Sequence, residues 1–228
     1  MKKVYLAFIY IITIVCIVVG IVIHTSRWSG FNFIKPSNMK YEDYDADLTN
    51  VKDDITITID CRLGDVKIKK GSKFHLSYKA VTQLETKVTT DENTISITQK
   101  SEVTNWGNNM GSDITLTIPE NINIVKLDVH NDLGDIDIEG LTFEEGIIDE
   151  NLGDIDIEKC SFTDVDVNND LGDIKIIDCG SFEDYKIDAD VSLGEIKFFG
   201  NKCGDEYYVD GTKGSIKVSN SLGDITIK

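Results

Sequence analysis

The sequence predicts an all-β fold, a β-solenoid of roughly 19–22-residue coils, behind one N-terminal transmembrane helix. Three observations predict it. An uncharged apolar run fills residues 4–23, an alternation of apolar and polar residues sets in at Val51, and the hexapeptide L-G-D-I-x-I returns at fixed intervals.

The chain opens MKK and continues VYLAFIYIITIVCIVVGIVI. Twenty uncharged residues, Val4 to Ile23, at about 1.5 Å rise each would cross the roughly 30 Å hydrocarbon layer of a bilayer. A cleaved signal peptide would carry a shorter apolar stretch and a small-x-small site, whereas this run continues into IHTSRW. Cys16 is a candidate for lipidation, but Val15 precedes it where lipoprotein signals usually carry a small residue. Lys2 and Lys3 are the only charges before the run, so residues 1–3 are expected in the cytoplasm and everything after Ile23 outside the cell membrane, as a single-pass protein.

Residues 24–50 lack a strong period, contain Pro36 and read as a linker, with Trp28, Phe31 and Phe33 placed to sit near lipid head groups. Residues 51–228 form the expected outer domain. Its first part alternates β-branched and polar residues in ITITID (55–60), DVKIKK (65–70), KFHLSYK (73–79), TISITQK (94–100) and DITLTIP (113–119), the pattern of half-buried strands. Here a sandwich of antiparallel strands competes with a solenoid.

From residue 113 the beat is regular. Leu133, Leu152 and Leu171 open copies of the motif 19 residues apart, Leu193 and Leu222 follow at intervals of 22 and 29, and Leu63 opens an earlier copy, LGDVKI. KGSIKV at 213–218 reads as a worn copy. KLDVHND before Leu133 matches DVDVNND before Leu171, and Phe143 and Phe162 share one offset, with Phe182 a residue further along. Two short strands per period, separated by Gly and Asn/Asp turns, describe one coil of a solenoid. In L-G-D-I-D-I the leucine and both isoleucines are expected to point inward, the aspartates outward, and glycine to take the crowded corner. The chain stops at Lys228 just after LGDITI, which suggests an open edge for self-association through the C-terminal coil.

DITLTIPENINIVKLDV followed by the run of LGDI motifs resembles the bacterial putative-adhesin family, a domain of unknown function, over about residues 51–228. The resemblance implies a β-solenoid tethered by one membrane helix, and some members resemble envelope-stress proteins encoded beside cell-wall antibiotic sensors in low-GC Gram-positive bacteria. It supplies no ligand residues.

Charge narrows the partners. The chain beyond residue 23 carries all 40 acidic and 21 of the 23 basic residues, and 132–178 hold 16 acids against only Lys159 and Lys175. Nucleic acid is excluded, and cations or basic partners are favoured. Asp135, Asp154, Asp173, Glu195 and Asp224 recur at one motif position, with Asp137 and Asp156 in a second column. Stacked carboxylates would gain from a counter-ion, so Asp135, Asp154, Asp173 and Asp224 are a candidate calcium ladder, although the nonapeptide spacing of calcium-binding β-rolls is missing. The competing reading is a solvated face.

No catalytic residues are assigned. Carboxylates that recur in every rung lack the one distinct environment that separates the pKa values of an acid and a base, and only Arg27 and Arg62 could assist polysaccharide cleavage. His24, His75 and His130 share no zinc-ligand spacing with the cysteines, and His130 reads as a turn residue. Cys160 and Cys179 would stack on adjacent coils, as a disulfide or as a core pair. The expected function is therefore non-catalytic binding in the cell envelope, to a wall polymer or an envelope protein. An accessory regulator of envelope-stress signalling and a carbohydrate-active β-helix enzyme are the alternatives, and no cofactor is expected.

Overall fold

The computed structural model describes residues 41–47, 54–81, 84–101 and 112–228. The expected membrane helix at 4–23, and the linker 24–50 apart from 41–47, lie outside the described residues. The described residues form strands and no helix. The first seven strands are β1 (Tyr41–Asp47), β2 (Ile55–Cys61), β3 (Val66–Gly71), β4 (His75–Val81), β5 (Leu84–Thr90), β6 (Thr94–Ser101) and β7 (Ile114–Pro119). The regular repeats supply β8 (Ile124–Asn131), β9 (Ile136–Glu139), β10 (Thr142–Leu152), β11 (Ile155–Glu158), β12 (Ser161–Leu171) and β13 (Ile174–Ile177). The C-terminal part adds β14 (Tyr185–Leu193), β15 (Ile196–Phe198), β16 (Asn201–Gly204), β17 (Glu206–Val209), β18 (Gly214–Leu222) and β19 (Ile225–Ile227).

Each rung pairs a longer strand with a shorter one across the L-G corner, and rungs stack in parallel. β10 pairs with β8 and β12, in register Ile148↔Val129 and Ile148↔Val167, and β11 pairs with β9 and β13, in register Ile155↔Ile136 and Ile155↔Ile174. A 19-residue period therefore puts identical side chains one above another at about 4.8 Å. Ile136, Ile155, Ile174, Ile225 and Ile196 form one fully buried column, and Ile138, Ile157, Ile176 and Ile227 the next. Each such side chain contributes about 1.5–3 kcal/mol by leaving water.

The rungs do not stack in chain order. The parallel pairings run β6/β7, β2/β3, β8/β9, β10/β11, β12/β13, β18/β19, β14/β15. The last rung in sequence, β18/β19, thus lies between β12/β13 and β14/β15, and β2/β3 is likewise inserted one place from the other end. The intervals of 22 and 29 residues mark this departure, because the chain leaving β13 must rise two rungs, about 9.6 Å, before β14 begins.

Two expectations are corrected by this stacking. The C-terminal strand is no open edge: β19 is paired on both sides, and Lys228 donates its N–H to Ile176 O at 3.0 Å while its own carbonyl accepts from Asp178 N at 2.9 Å. KGSIKV is not a worn LGDI copy either, since Ile216 and Val218 align with Val165 and Val167 of the long strand.

Antiparallel strands finish both ends of the stack. β17 lies against β14 and β16 against β15, while β5 covers β6, β4 covers β7 and β1 lies outside β4, in register Tyr41↔Val81 to Asp47↔His75. β1 falls within the segment read as linker. Residues 54–119 thus contain two parallel rungs together with antiparallel covering strands.

Candidate binding surface

The corner is built from three residue types with separate tasks. Glycine is required by contact: a Cβ on Gly153 would lie 1.7 Å from Gly134 O, and one on Gly172 would lie 1.9 Å from Gly153 O. Their φ values of 157° and 140° also disfavour any L side chain. Each glycine N–H reaches the next leucine carbonyl, as Gly153 N does to Leu171 O at 3.0 Å.

The aspartates carry a bond that sequence reasoning missed. Asp135 Oδ1 accepts the backbone N–H of Asp154 at 2.9 Å, Asp154 Oδ1 that of Asp173 at 2.8 Å, and Asp173 Oδ1 that of Asp224 at 2.8 Å. Toward the other end Asp65 accepts from Asp135 N at 3.1 Å and Asp113 from Asp65 N at 3.4 Å, and Asp224 ends the ladder by accepting from Glu195 N at 3.1 Å. The structure thus brings together all four proposed calcium residues, in one column with one oxygen of each committed to a neighbouring amide. Among the described residues no group of three or more His, Cys, Asp or Glu is arranged to hold a metal ion.

The second column is charge-paired instead. Lys67 bridges Asp137 at 3.4 Å, Lys175 bridges Asp156 at 3.0 Å and Lys197 reaches Asp224 at 2.7 Å. Bonding to Asp156 raises the Lys175 pKa, and bonding to Lys197 lowers that of Asp224. These pairs stand largely in water, which screens them, so each adds little to stability.

Inside the corner runs a column of buried polar residues, Asn131, Glu150, Asn169 and Asn220. The asparagine Nδ2 atoms donate to glycine carbonyls: Asn131 to Gly64 O at 3.2 Å, Asn169 to Gly153 O and Asn220 to Gly172 O, both at 2.8 Å. Glu150 breaks the series. Its Oε1 accepts Leu152 N at 3.0 Å, its Oε2 is buried without a partner, and burial pushes its pKa up to about 7.

These amides occupy the corner interior, and the leucines are turned out. This corrects the expectation that the motif leucine is a core residue. In stacking order Leu133, Leu152, Leu171, Leu222 and Leu193 are 37%, 47%, 46%, 48% and 69% exposed, and Leu63 continues the line half-buried. Six leucines at the rung spacing make a ridge about 24 Å long. Single exposed leucines are ordinary, but a contiguous apolar line on an acidic surface is not. Asp132, Asn151 and Asp170 flank it on one side and Asp135, Asp154 and Asp173 on the other.

The remaining candidates have quieter places. His130 Nε2 donates at 3.2 Å to Asp132 Oδ1, and Asp132 also holds Arg62 at 2.6 Å. Cys160 and Cys179 are free and buried; their Sγ atoms donate to the carbonyls of Glu158 and Ile177, each at 3.3 Å, and hydrogen bonding to Cys179, together with burial, raises the pKa of Cys160. Cys61 is also buried, which pushes its thiol up to about 12. Phe143 stacks on Phe162 with centroids 5.4 Å apart, as their shared offset implies.

Comparison with known proteins follows the architecture. The family described as Toastrack DUF4097 matches residues 53–228. A putative cell adhesion protein from Clostridium sporogenes has a similar structure, with TM-score 0.64 and 16% identity over 83% of this chain and 99% of that one. A putative adhesin from Bacteroides fragilis is similar over 86% of this chain and 100% of its own, at TM-score 0.32 and 16% identity. No curated protein matches the chain.

Proposed function

The chain belongs to the Toastrack DUF4097 family, and on that premise we propose that it is a membrane-anchored, outward-facing binding module of the cell envelope that acts without catalysis. The observation that carries this reading is the exposed leucine ridge between acidic columns. The uncharged run at 4–23 supports anchoring, with the positive-inside bias directing the remainder of the chain outward.

The ridge fits a partner that brings apolar side chains at strand or helix spacing together with Lys or Arg. A polyanionic wall polymer would be repelled, and two copies meeting ridge to ridge would oppose their own aspartates. A basic segment of another envelope protein satisfies both terms. Non-catalysis is supported by the carboxylates themselves, which bond to backbone amides or lysines in repeated environments.

A photo-crosslinking residue placed at 152 in intact cells tests the proposal. A single basic protein should be captured, and capture should be lost on Leu133→Gln with Leu171→Gln and at high salt. Capture from the opposite face with none from 152 would sink it.

A further inference from the structure

Beyond the β14/β15 rung the stack ends in β16 and β17, and a cleft of about 570 Å³ opens there, sharing no residue with the leucine ridge. Four aromatic rings line it, Phe182, Phe198, Phe199 and Tyr207, together with Ile187 and Glu183. Phe198 and Phe199 stand at 90° with centroids 4.9 Å apart, Tyr207 stacks on Phe198 at 4.8 Å, and Phe182 lies 6.2 Å from Phe199 at 57°. The rings thus wall one space at several angles, and Phe199 is the most exposed of them.

Phe199 is the informative residue. Its φ is 45°, in the two-residue turn that it forms with Gly200 (φ 77°) between β15 and β16. A bulky side chain in the left-handed region is disfavoured, and Phe199 gains little burial in return, since it is 54% exposed. Its contacts with Phe198 and Phe182 engage only part of the ring and leave the rest open to the cleft.

The charge of the lining selects the ligand. Glu183 is its single charged residue, no Lys or Arg lines the cleft, and Glu183 forms no ion pair among the described residues. Aromatic faces carry the negative end of the ring quadrupole and attract cations within about 6 Å of the centroid. An anion would be repelled by both features, and a neutral apolar molecule would leave Glu183 unused. We propose that this cleft binds an alkylammonium group, held by the rings around its methyl or methylene shell and by the Glu183 carboxylate. The volume exceeds that of one such group, so it serves as the anchoring part of a larger compound, a lipid head group or a soluble or polymer-borne amine.

The test is titration of the full chain, in a maltoside detergent free of amines, with choline and with its uncharged isostere 3,3-dimethylbutan-1-ol, followed by calorimetry and ligand-observed NMR. Choline should bind saturably and at least tenfold more tightly than the isostere. Phe199→Ala should weaken choline about tenfold at unchanged melting temperature, and Glu183→Gln severalfold. Glycerophosphocholine separates the sources: binding as tight as choline identifies a lipid head group, and exclusion identifies a soluble or polymer-borne amine. Equal binding of choline and the isostere, no saturation by choline, or full affinity in both Phe199→Ala and Tyr207→Ala would overturn the proposal.

Discussion

Glu150 lies directly between Asn131 and Asn169 in the parallel ladder, a carboxyl in a buried column where both neighbouring rungs carry amides. The amide of Asn169 donates to Gly153 O at 2.8 Å, which an ionised carboxylate cannot do for its own rung. Burial raises the Glu150 pKa from 4.5 to about 7, so the folded state holds a proton that the unfolded state releases between these values. Stability contributed by the protonated form is complete below pH about 4.5 and is lost as pH rises to about 7, a change of about 3 kcal/mol. Glu150→Gln should remove this part of the pH dependence and raise stability at pH 8 by about 2–3 kcal/mol. Urea unfolding of both proteins at pH 5 and 8 measures it, and equal pH slopes would refute the assignment.

Gly153→Ala should destabilise the protein by more than about 3 kcal/mol, because the new Cβ meets backbone that cannot move aside without opening the rung. Gly180→Ala is the control. Nothing lies within 4 Å of its Cβ position, and only its φ of 95° is unfavourable, so the cost should stay near 1 kcal/mol. Thermal melts of the two variants should differ accordingly.

Leu152→Gln should change stability by no more than about 0.5 kcal/mol, whereas Ile155→Ala, three residues on and fully buried, should cost about 2–5 kcal/mol. Comparable losses in chemical denaturation would return the leucine to the core and remove the ridge.

Asp154→Asn keeps an oxygen for the Asp173 amide and should be close to neutral, while Asp154→Ala should cost about 1 kcal/mol. Millimolar calcium should leave the melting temperature of the wild-type chain unchanged, since a ligand that binds the native state must raise it. A calcium-dependent rise abolished by Asp154→Asn would restore the ladder as a metal site.

Much of this was legible in the sequence because a strict 19-residue period leaves the stack little freedom. The alternation at 55–60 or 113–119 gave strands, and Ile136, Ile155 and Ile174 gave a core column. The leucines misled because their burial was inferred from hydrophobicity alone. The corner interior is taken instead by the residues two places earlier, among them Asn131, Asn169 and Asn220, whose amides bond to glycine carbonyls. Those asparagines read as turn formers, and their signal was their recurrence beside the motif. The rung order was hidden for another reason: parallel pairing does not record which rung was laid first, so only the irregular intervals after Leu171 pointed to it. Phe199 had no sequence signal, since its conformation depends on the two-residue turn with Gly200 by which β15 folds back onto β16.

The placement of β18/β19 has a biosynthetic consequence. Synthesis runs from the N-terminus, yet the rung bonded to both β12 and β14 is composed of residues 214–227, later in the chain than either. Until the ribosome has released them, β12/β13 and β14/β15 have no rung to join them, and the nascent chain keeps an unfinished gap. Closure of the stack thereby waits on strands made after both of the rungs they join, and a chain cut before β18 carries an exposed slot open to proteases. Pulse proteolysis of a chain ending at Lys213 should find it degraded while the full chain survives.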